Sequence, residues 1–566
     1  MRHFFPIIEW LKGYSKQDFN GDIFAGIITA ILLVPQGIAY AMLAGLPPQM
    51  GLYASILPPV FYALLGSSRT MSVGPVSIAA IMIASALNTP EISALNNPVE
   101  SAIILSAESG IILLIMASMR MGVLVNFISH PVLTGFTSGA SILIIFSQLP
   151  HLLGLNKPLC GTGINCYSEY LQGFNPTTLA LGLLSLSILL LFNKPLTTLL
   201  KKTSLSPAII LGISKTAPLL SVVVSTLLVL HYDFVSTDNV AIVGAIKGGL
   251  PELSLGFISS EKWRLLLPYA GFITLIAYVE SVAIAKVTAN IRHQQINPNQ
   301  ELVALGFSNL AAAVSGGMSV AGGFSRTMVN FSAGARTQMA MLIAVVILTI
   351  AVVFASDGFE FIPKATLAAI ILIAIFPLIK LRNIVHTWQY DRGDGLAELM
   401  TLVGVLLFGI EEGLTLGIIL TIATYLRQTS RPHIAEVGRV ANSEHFRNIN
   451  RHKVETWDNL LLLRVDENIT FTNADYIGEF IHQRLKNNKA EHVALIFNSV
   501  SYIDSTALEA LENLNQSLQK DHIYMHLSEV KGPVMDRLEQ TDFLEKIKPG
   551  KVFFQTKDVV KELAKN

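Results

Sequence analysis

The sequence predicts a polytopic α-helical membrane protein that carries a soluble α/β domain at its C-terminal end. Three observations predict it. Of 566 residues, 51% are hydrophobic and only 14% charged, where soluble globular chains carry about a quarter charged. Long stretches hold no charge at all, beginning with Ile23–Ser68. Beyond Arg431 the character changes, and charged residues alternate with short apolar strands and amphipathic helical patterns. The formal net charge is zero, which gives nucleic-acid binding no support.

Taken in order, residues 1–20 read as a short N-terminal segment. MRHFFPIIEWLKGYSKQDFNGD lacks the apolar core and small-residue cleavage site of a signal peptide. Ile23–Ser68 is long enough for two spans of roughly 20 residues around a turn. Charge-poor runs follow at Thr70–Pro90, Ser101–Ser118, Gly122–His151, Gly173–Phe192, Pro218–His231 and Leu265–Val279. After Arg326 come Thr337–Ser356, Ala365–Ile379, Leu399–Ile410 and Gly413–Leu426. Hydropathy thus supports about 12 to 14 spans within residues 21–430.

Arg69, Arg120, Lys194, Lys201, Lys202, Lys286, Arg292, Arg336, Lys380 and Arg382 fall on one side if spans alternate. The opposite loops hold chiefly Lys157, Lys247, Lys262 and Arg264. By the positive-inside rule both termini are expected in the cytoplasm. The two cysteines, Cys160 and Cys166, then face outside, where a disulfide and two free thiols are both open. Two cysteines support neither a disulfide scaffold nor a cysteine metal cluster.

GGFSRTMVN, residues 322–330, raises the functional question. It places an arginine directly after Leu302–Ser325, a run with no charged residue. Two stretches, MSVGPVSIAAIMI (71–83) and SGGMSVAGGFSRTMVN (315–330), each begin Gly-rich or β-like and then resume a helical pattern. Backbone that leaves its helix inside a bilayer must be buried in protein or line a polar cavity. A pair of such interrupted segments, one in each half, points to a transport site built on inverted repeats. Half-helix N-termini near the midplane offer unpaired N–H groups and positive dipole ends, which suit an anion. Arg326 in the first turn of the second would add a full charge there.

Glu280, in LIAYVESVAIAKV, is an intramembrane acid and so a functional candidate; a structural salt bridge to Arg326 is the alternative. Glu108 is a second embedded acid, read as structural or lipid-edge. The small-residue spacing of GFTSG (135–139) predicts close helix packing.

These residues resemble the SulP sulfate permease family, which includes proton–sulfate symporters, bicarbonate and dicarboxylate transporters, and the animal anion exchangers with prestin and pendrin. DIFAGIITAILLVPQGIAYAMLAGLPPQMGLYASILPPVFYALLGSSRTMSVGPVS looks like the family signature, and NQELVALGFSNLAAAVSGGMSVAGGFSRTMVNFSAGARTQ resembles its tenth-helix motif. The resemblance implies about fourteen membrane helices in two inverted seven-helix repeats, forming a core and a gate domain. It implies an anion held by Gln36, Tyr40, Val76, Ser77, Gly323, Phe324, Ser325 and Arg326, with Glu280 coupling transport to a cation. Amide, phenol, hydroxyl and backbone N–H groups all donate to oxyanions, whereas Val76 would only shape the pocket.

The tail from 434 to 566 resembles a STAS domain, with NLLLLRVDENITFTNADYI, HVALIFNSVSYIDSTALEALENL and IYMHLSEV as its strand–helix units. YIDSTALEAL matches a phosphoacceptor loop with Ser505 at the acceptor position, but Ala507 replaces the usual glycine. A helix N-cap is the commoner role for a pair such as Asp504 and Ser505. No phosphate-binding loop, zinc-protease or nucleophile-elbow motif occurs, so no enzyme and no cofactor are expected. The expected function is secondary transport of an oxyanion, proton-coupled sulfate uptake first. Sodium–bicarbonate symport, dicarboxylate uptake, anion exchange and an anion-gated sensor or motor are the alternatives. The expected setting is a bacterial inner membrane, with a homodimer as the assembly.

Overall fold

Three long helices begin with the same dipeptide. Asn97–Pro98, Asn175–Pro176 and Asn297–Pro298 each place an N-cap asparagine before a proline at the first helical position. The asparagine oxygen accepts from Glu100, Thr178, and both Asn299 and Gln300 backbone N–H groups, at 3.0–3.2 Å. Proline loses nothing there, because its missing N–H would be unpaired anyway. Ser15 and Asp18 form a reciprocal capping box at the start of the 28-residue helix Lys16–Leu43.

The structure is a computed structural model that describes residues 6–94, 96–126, 129–155, 174–203, 207–246, 248–259, 262–486 and 490–565. Cys160 and Cys166 lie outside the described residues, as do Lys157 and Lys247. The chain divides into two compact units, Met1–Ile419 and Leu420–Asn566.

In the first unit, six helical stretches among the described residues are long and apolar enough to cross a membrane. They are Lys16–Leu43, Pro98–Ser118, His130–Leu153, Pro176–Leu200, Trp263–Ile291 and Lys364–Tyr390. Shorter apolar helices include Ser77–Leu87, Ala217–Tyr232 and Met339–Phe354. A hydrocarbon core of about 30 Å needs about 20 helical residues. The 11 residues of Ser77–Leu87 and the nine of Phe324–Ser332 therefore reach only about half way. Small residues let the long helices touch. A Cβ added at Gly110 would meet the Gly306 carbonyl oxygen at 2.9 Å, and one at Gly135 would meet that of Glu398 at 2.3 Å. The packing role read from the Gly135–Gly139 spacing is what the helix contact uses.

The second unit holds a six-stranded sheet in the order β4-β3-β5-β6-β7-β8, namely β3 (Ile434–Arg439), β4 (Phe446–Asn448), β5 (Leu460–Val465), β6 (His492–Ile496), β7 (Tyr524–Ser528) and β8 (Val552–Phe553). β5 to β8 run parallel, and β3 pairs antiparallel with β4 and β5. Leu461, Leu463 and Val465 face a core completed by helices Ala474–Lys486 and Ser505–Lys520. Leu460 and Leu462 face the opposite core, closed by Val559 and Val560. Parallel strands covered on both faces must be apolar throughout, which is why LLLL does not alternate.

Candidate functional site

The two interrupted segments meet. β1 (Val73–Gly74) pairs antiparallel with β2 (Ala321–Gly322), placing Val73 opposite Gly322 and Gly74 opposite Ala321. Side chains satisfy much of the backbone that the broken helices leave open. Gly322 N–H donates to Ser281 Oγ at 2.8 Å, and Ser72 N–H to Thr327 Oγ1 at 3.0 Å. Asn330 Nδ2 donates to the Thr70 carbonyl at 2.9 Å. Asn309 holds both polar groups of Val320 at 3.0 Å. Gln338 Nε2 reaches the Ser68 and Met71 carbonyls at 2.7 and 2.9 Å. This is how irregular backbone becomes tolerable at membrane depth. The half-helix caps, Val76 and Gly323, supply no capping side chain, so first-turn N–H groups remain available to a ligand.

Arg326 belongs to the second half-helix but reaches the entrance of the first. Its Nη1 donates to the Pro75 carbonyl at 2.6 Å. The residue is 2% exposed, yet Nε and Nη2 have no partner among the described residues. A Cβ at Gly323 would lie 3.0 Å from Nη2, and one at Gly74 3.2 Å from it. Two glycines from segments about 250 positions apart thus flank one guanidinium. A buried guanidinium with unused donors is costly unless an anion takes them.

Glu280 lies on Trp263–Ile291, next to Ser281. Its Oε2 is buried without a partner among the described residues, and no ion pair within 4.0 Å joins it to Arg326. The alternative of a structural salt bridge therefore does not describe this pair. The Arg326 charge is nonetheless felt at Glu280 and at Tyr40. Tyr40 is buried, as is Gln36 one turn earlier, whose Oε1 has no partner. Val76 packs with Ala79, Ala277 and Ala321, and Ser77 is buried beside it. Phe324 and Ser325 are exposed within the chain, Phe324 by 44%.

Tyr40, Val76, Gly323, Arg326 and Glu280 therefore converge, while no hydrogen bond links Gln36 to Arg326 among the described residues. Glu108 is 2% exposed, with both carboxylate oxygens unpartnered among the described residues. It sits inside the bundle, which corrects the lipid-edge reading, because a lipid-facing side chain would be exposed on the isolated chain.

Several residues that build the site are not evident in the sequence. Gly74 and the Pro75 carbonyl shape the Arg326 pocket, and Ser281, Thr327 and Asn330 latch the strands. Glu301, wholly buried, accepts from Tyr62 Oη, Ser67 N and Oγ, and Ser68 N at 2.6–3.2 Å. It anchors the turn that enters the first broken segment. The one available signal was position: Ser281 adjoins Glu280, and Glu301 opens an otherwise uncharged run.

In the tail, Asp504 caps Ser505–Lys520, its Oδ1 accepting from Ala507 N at 2.8 Å while Oδ2 accepts from Phe471 N at 2.8 Å. Ser505 is exposed beside it.

Apolar helices around two interrupted members that meet near their N-termini define a membrane transporter of the broken-helix kind. Residues 19–401 match the model of the sulfate permease family, and residues 451–560 that of the STAS domain. Sulfate transporter 1.3 of Arabidopsis thaliana is 32% identical, covering 98% of this chain and 86% of its own. High affinity sulfate transporter 2 of Stylosanthes hamata is 30% identical over 99% and 86%. The murine Solute Carrier 26 family member A9 anion transporter superposes with a TM-score of 0.89 at 21% identity, over 99% of this chain and 93% of that one. The transmembrane domain of the cyanobacterial bicarbonate transporter BicA gives 0.59 at 20% identity, over 72% and 98%. The chain belongs to the sulfate permease family. It is an integral membrane transporter, not an enzyme, with a STAS domain at its C-terminal end.

Proposed function

We propose that this chain is a secondary active transporter that takes up a doubly charged oxyanion, sulfate, together with a proton. The observation that carries the reading is the Arg326 guanidinium, buried between Gly74 and Gly323 with Nε and Nη2 unpartnered. Two half-helix N-termini and one arginine give a positive, desolvated place for an oxyanion, with Tyr40, Ser77 and Ser325 as hydroxyl donors and Gln36 as the amide. The names of the plant relatives favour sulfate as that oxyanion.

Glu280 serves as the coupling carboxylate. A bound anion occupies the field of Arg326, and protonating Glu280 removes a like charge from beside it. Proton and anion then bind cooperatively, by about 1–3 kcal/mol for linked sites of this kind. The core carrying both half-helices moves against the remaining helices in an elevator-like alternating-access cycle. The transport unit extends over 21–430 and the tail over 434–566, with both termini cytoplasmic and two copies forming a homodimer.

The test is uptake of labelled sulfate, bicarbonate and succinate into proteoliposomes, with and without an inward proton or sodium gradient. Concentrative sulfate uptake that follows the proton gradient supports the reading. Uptake of bicarbonate or succinate in its place, or a requirement for sodium, replaces it with another member of the same transport class. Anion binding without net uptake turns it into a sensor.

A further inference from the structure

A second basic site lies at the membrane unit's charged end. Trp10, Asp18, Arg69, Arg292, Arg336 and Thr337 line a cleft of about 540 Å³. Three guanidinium groups face it. Of the carboxylates nearby, Asp18 already pairs with Arg336 at 3.2 Å. Asp22 is saturated by Arg336 N, Thr337 N and Oγ1, and Tyr14 Oη, at 2.6–3.1 Å. Arg292 is close enough to Arg336 for their charges to oppose one another, an opposition that the Asp22 carboxylate offsets in part. Arg69 is exposed and makes no hydrogen bond or ion pair among the described residues. Trp10 is 5% exposed, and its indole N–H has no partner among the described residues. Like charges gathered around an open cleft, with donors to spare, call for an anion whose oxygens can bridge guanidinium groups.

The surroundings indicate what carries that anion. Ile8, Leu11 and Phe19 are exposed by 37–45% on the helices that bear Trp10 and Asp18. Apolar side chains beside tryptophan and basic residues mark the headgroup level of a bilayer, and basic pockets between membrane helices suit anionic lipid headgroups. We propose that this cleft is a second anion site, separate from Arg326, that takes the phosphate of an anionic lipid. It acts on the transport site through short connections. Arg292 lies 4.4 Å over the ring of Phe331 and donates to the Ala335 carbonyl, and Phe331 belongs to the half-helix that presents Arg326. An occupied cleft steadies the far end of that half-helix.

The experiment follows the thermal stability of the full-length protein in nanodiscs of phosphatidylcholine alone or mixed with phosphatidylglycerol. The wild type is expected to melt several degrees higher with phosphatidylglycerol, by an amount that shrinks at high salt. Arg69→Gln reduces the gain and Arg69→Gln/Arg292→Gln abolishes it, whereas Arg326→Ala keeps it, because the transport site is elsewhere. If the double variant does not fold, Arg69→Gln decides alone, since the Arg69 side chain makes no hydrogen bond or ion pair among the described residues. A second arm adds inorganic phosphate to Arg326→Ala in phosphatidylcholine. A matching rise there upholds the site and makes free phosphate its ligand. No rise in either arm, or a rise that both arginine variants retain, overturns the proposal. The readout is stability, so its failure and that of sulfate uptake are distinguishable.

Discussion

In the proposed anion site, Arg326 acts through what it leaves unpaired. One nitrogen is spent on the Pro75 carbonyl, which aims the guanidinium, and two remain for a ligand. Replacing it by alanine is expected to weaken anion binding about a hundredfold, or about 3 kcal/mol, measured by isothermal titration with sulfate on protein that still elutes as a folded species. Unchanged affinity would remove Arg326 from the site. Gly323→Ala tests the same geometry from outside, since its Cβ would press on Nη2 from 3.0 Å. About tenfold weaker binding with normal expression is the expected result.

Glu280→Gln keeps the shape and hydrogen bonding of the protonated acid. It should retain sulfate binding and exchange but lose uptake driven by an inward pH gradient. Sulfate flux into proteoliposomes with and without the gradient decides. A glutamine variant that still accumulates sulfate in response to pH shifts the coupling role elsewhere, with buried Glu108 the next residue to examine.

At the scale of elements, the broken helices are held by latches rather than by their own length. Thr327, Asn330 and Ser281 each carry one bond between segments that a straight helix would not need. The tail offers a separate element-scale test. In β7, His526 is 2% exposed; its Nδ1 accepts from Lys551 N at 3.1 Å, so Nε2 carries the proton toward His492 Nδ1, also at 3.1 Å. Protonating Nδ1 would set two donors against each other.

Burial first, and the neighbouring His492 second, push the His526 imidazole down from 6.5 to about 4. The unfolded chain takes up a proton near pH 6.5 and the folded one does not. The contribution to stability is therefore whole above that pH and drains away as pH falls toward 4, by about 3 kcal/mol. Denaturant midpoints of the 434–566 fragment at pH 7.5, 6 and 5 should fall in that order, and His526→Gln should flatten the trend. A midpoint independent of pH in the unaltered fragment would contradict this reading of the pair.

For the whole molecule, the two compact units, Met1–Ile419 and Leu420–Asn566, carry different kinds of core. The membrane unit satisfies its backbone within helices and latches, so it does not need the tail to insert. A chain ending at 430 is expected to reach the membrane fraction and resist carbonate extraction like the full protein. Failure to insert would show that the boundary between transport unit and tail is misplaced. Cross-linking in membranes, with and without the tail, tests the proposed homodimer and the tail's share in it.

Much of this is legible in the sequence. Charge-free runs mark membrane segments, because lipid excludes unpaired charge. The unbroken apolar strands of the tail mark a sheet covered on both faces, since parallel strands bury both sides. GGFSRTMVN also stands out in the sequence, because an arginine after a long uncharged run demands a partner, and Arg326 is indeed buried. What no local pattern encodes is which distant groups meet. That Arg326 lies between Gly74 and Gly323, bonds to Pro75 and makes no ion pair with Glu280 was decided by tertiary structure. So was the gathering of Arg69, Arg292 and Arg336 around one cleft. Periodicity and charge report the environment a residue prefers. Its partners are set by how segments more than two hundred positions apart pack, and that packing depends on the whole chain at once.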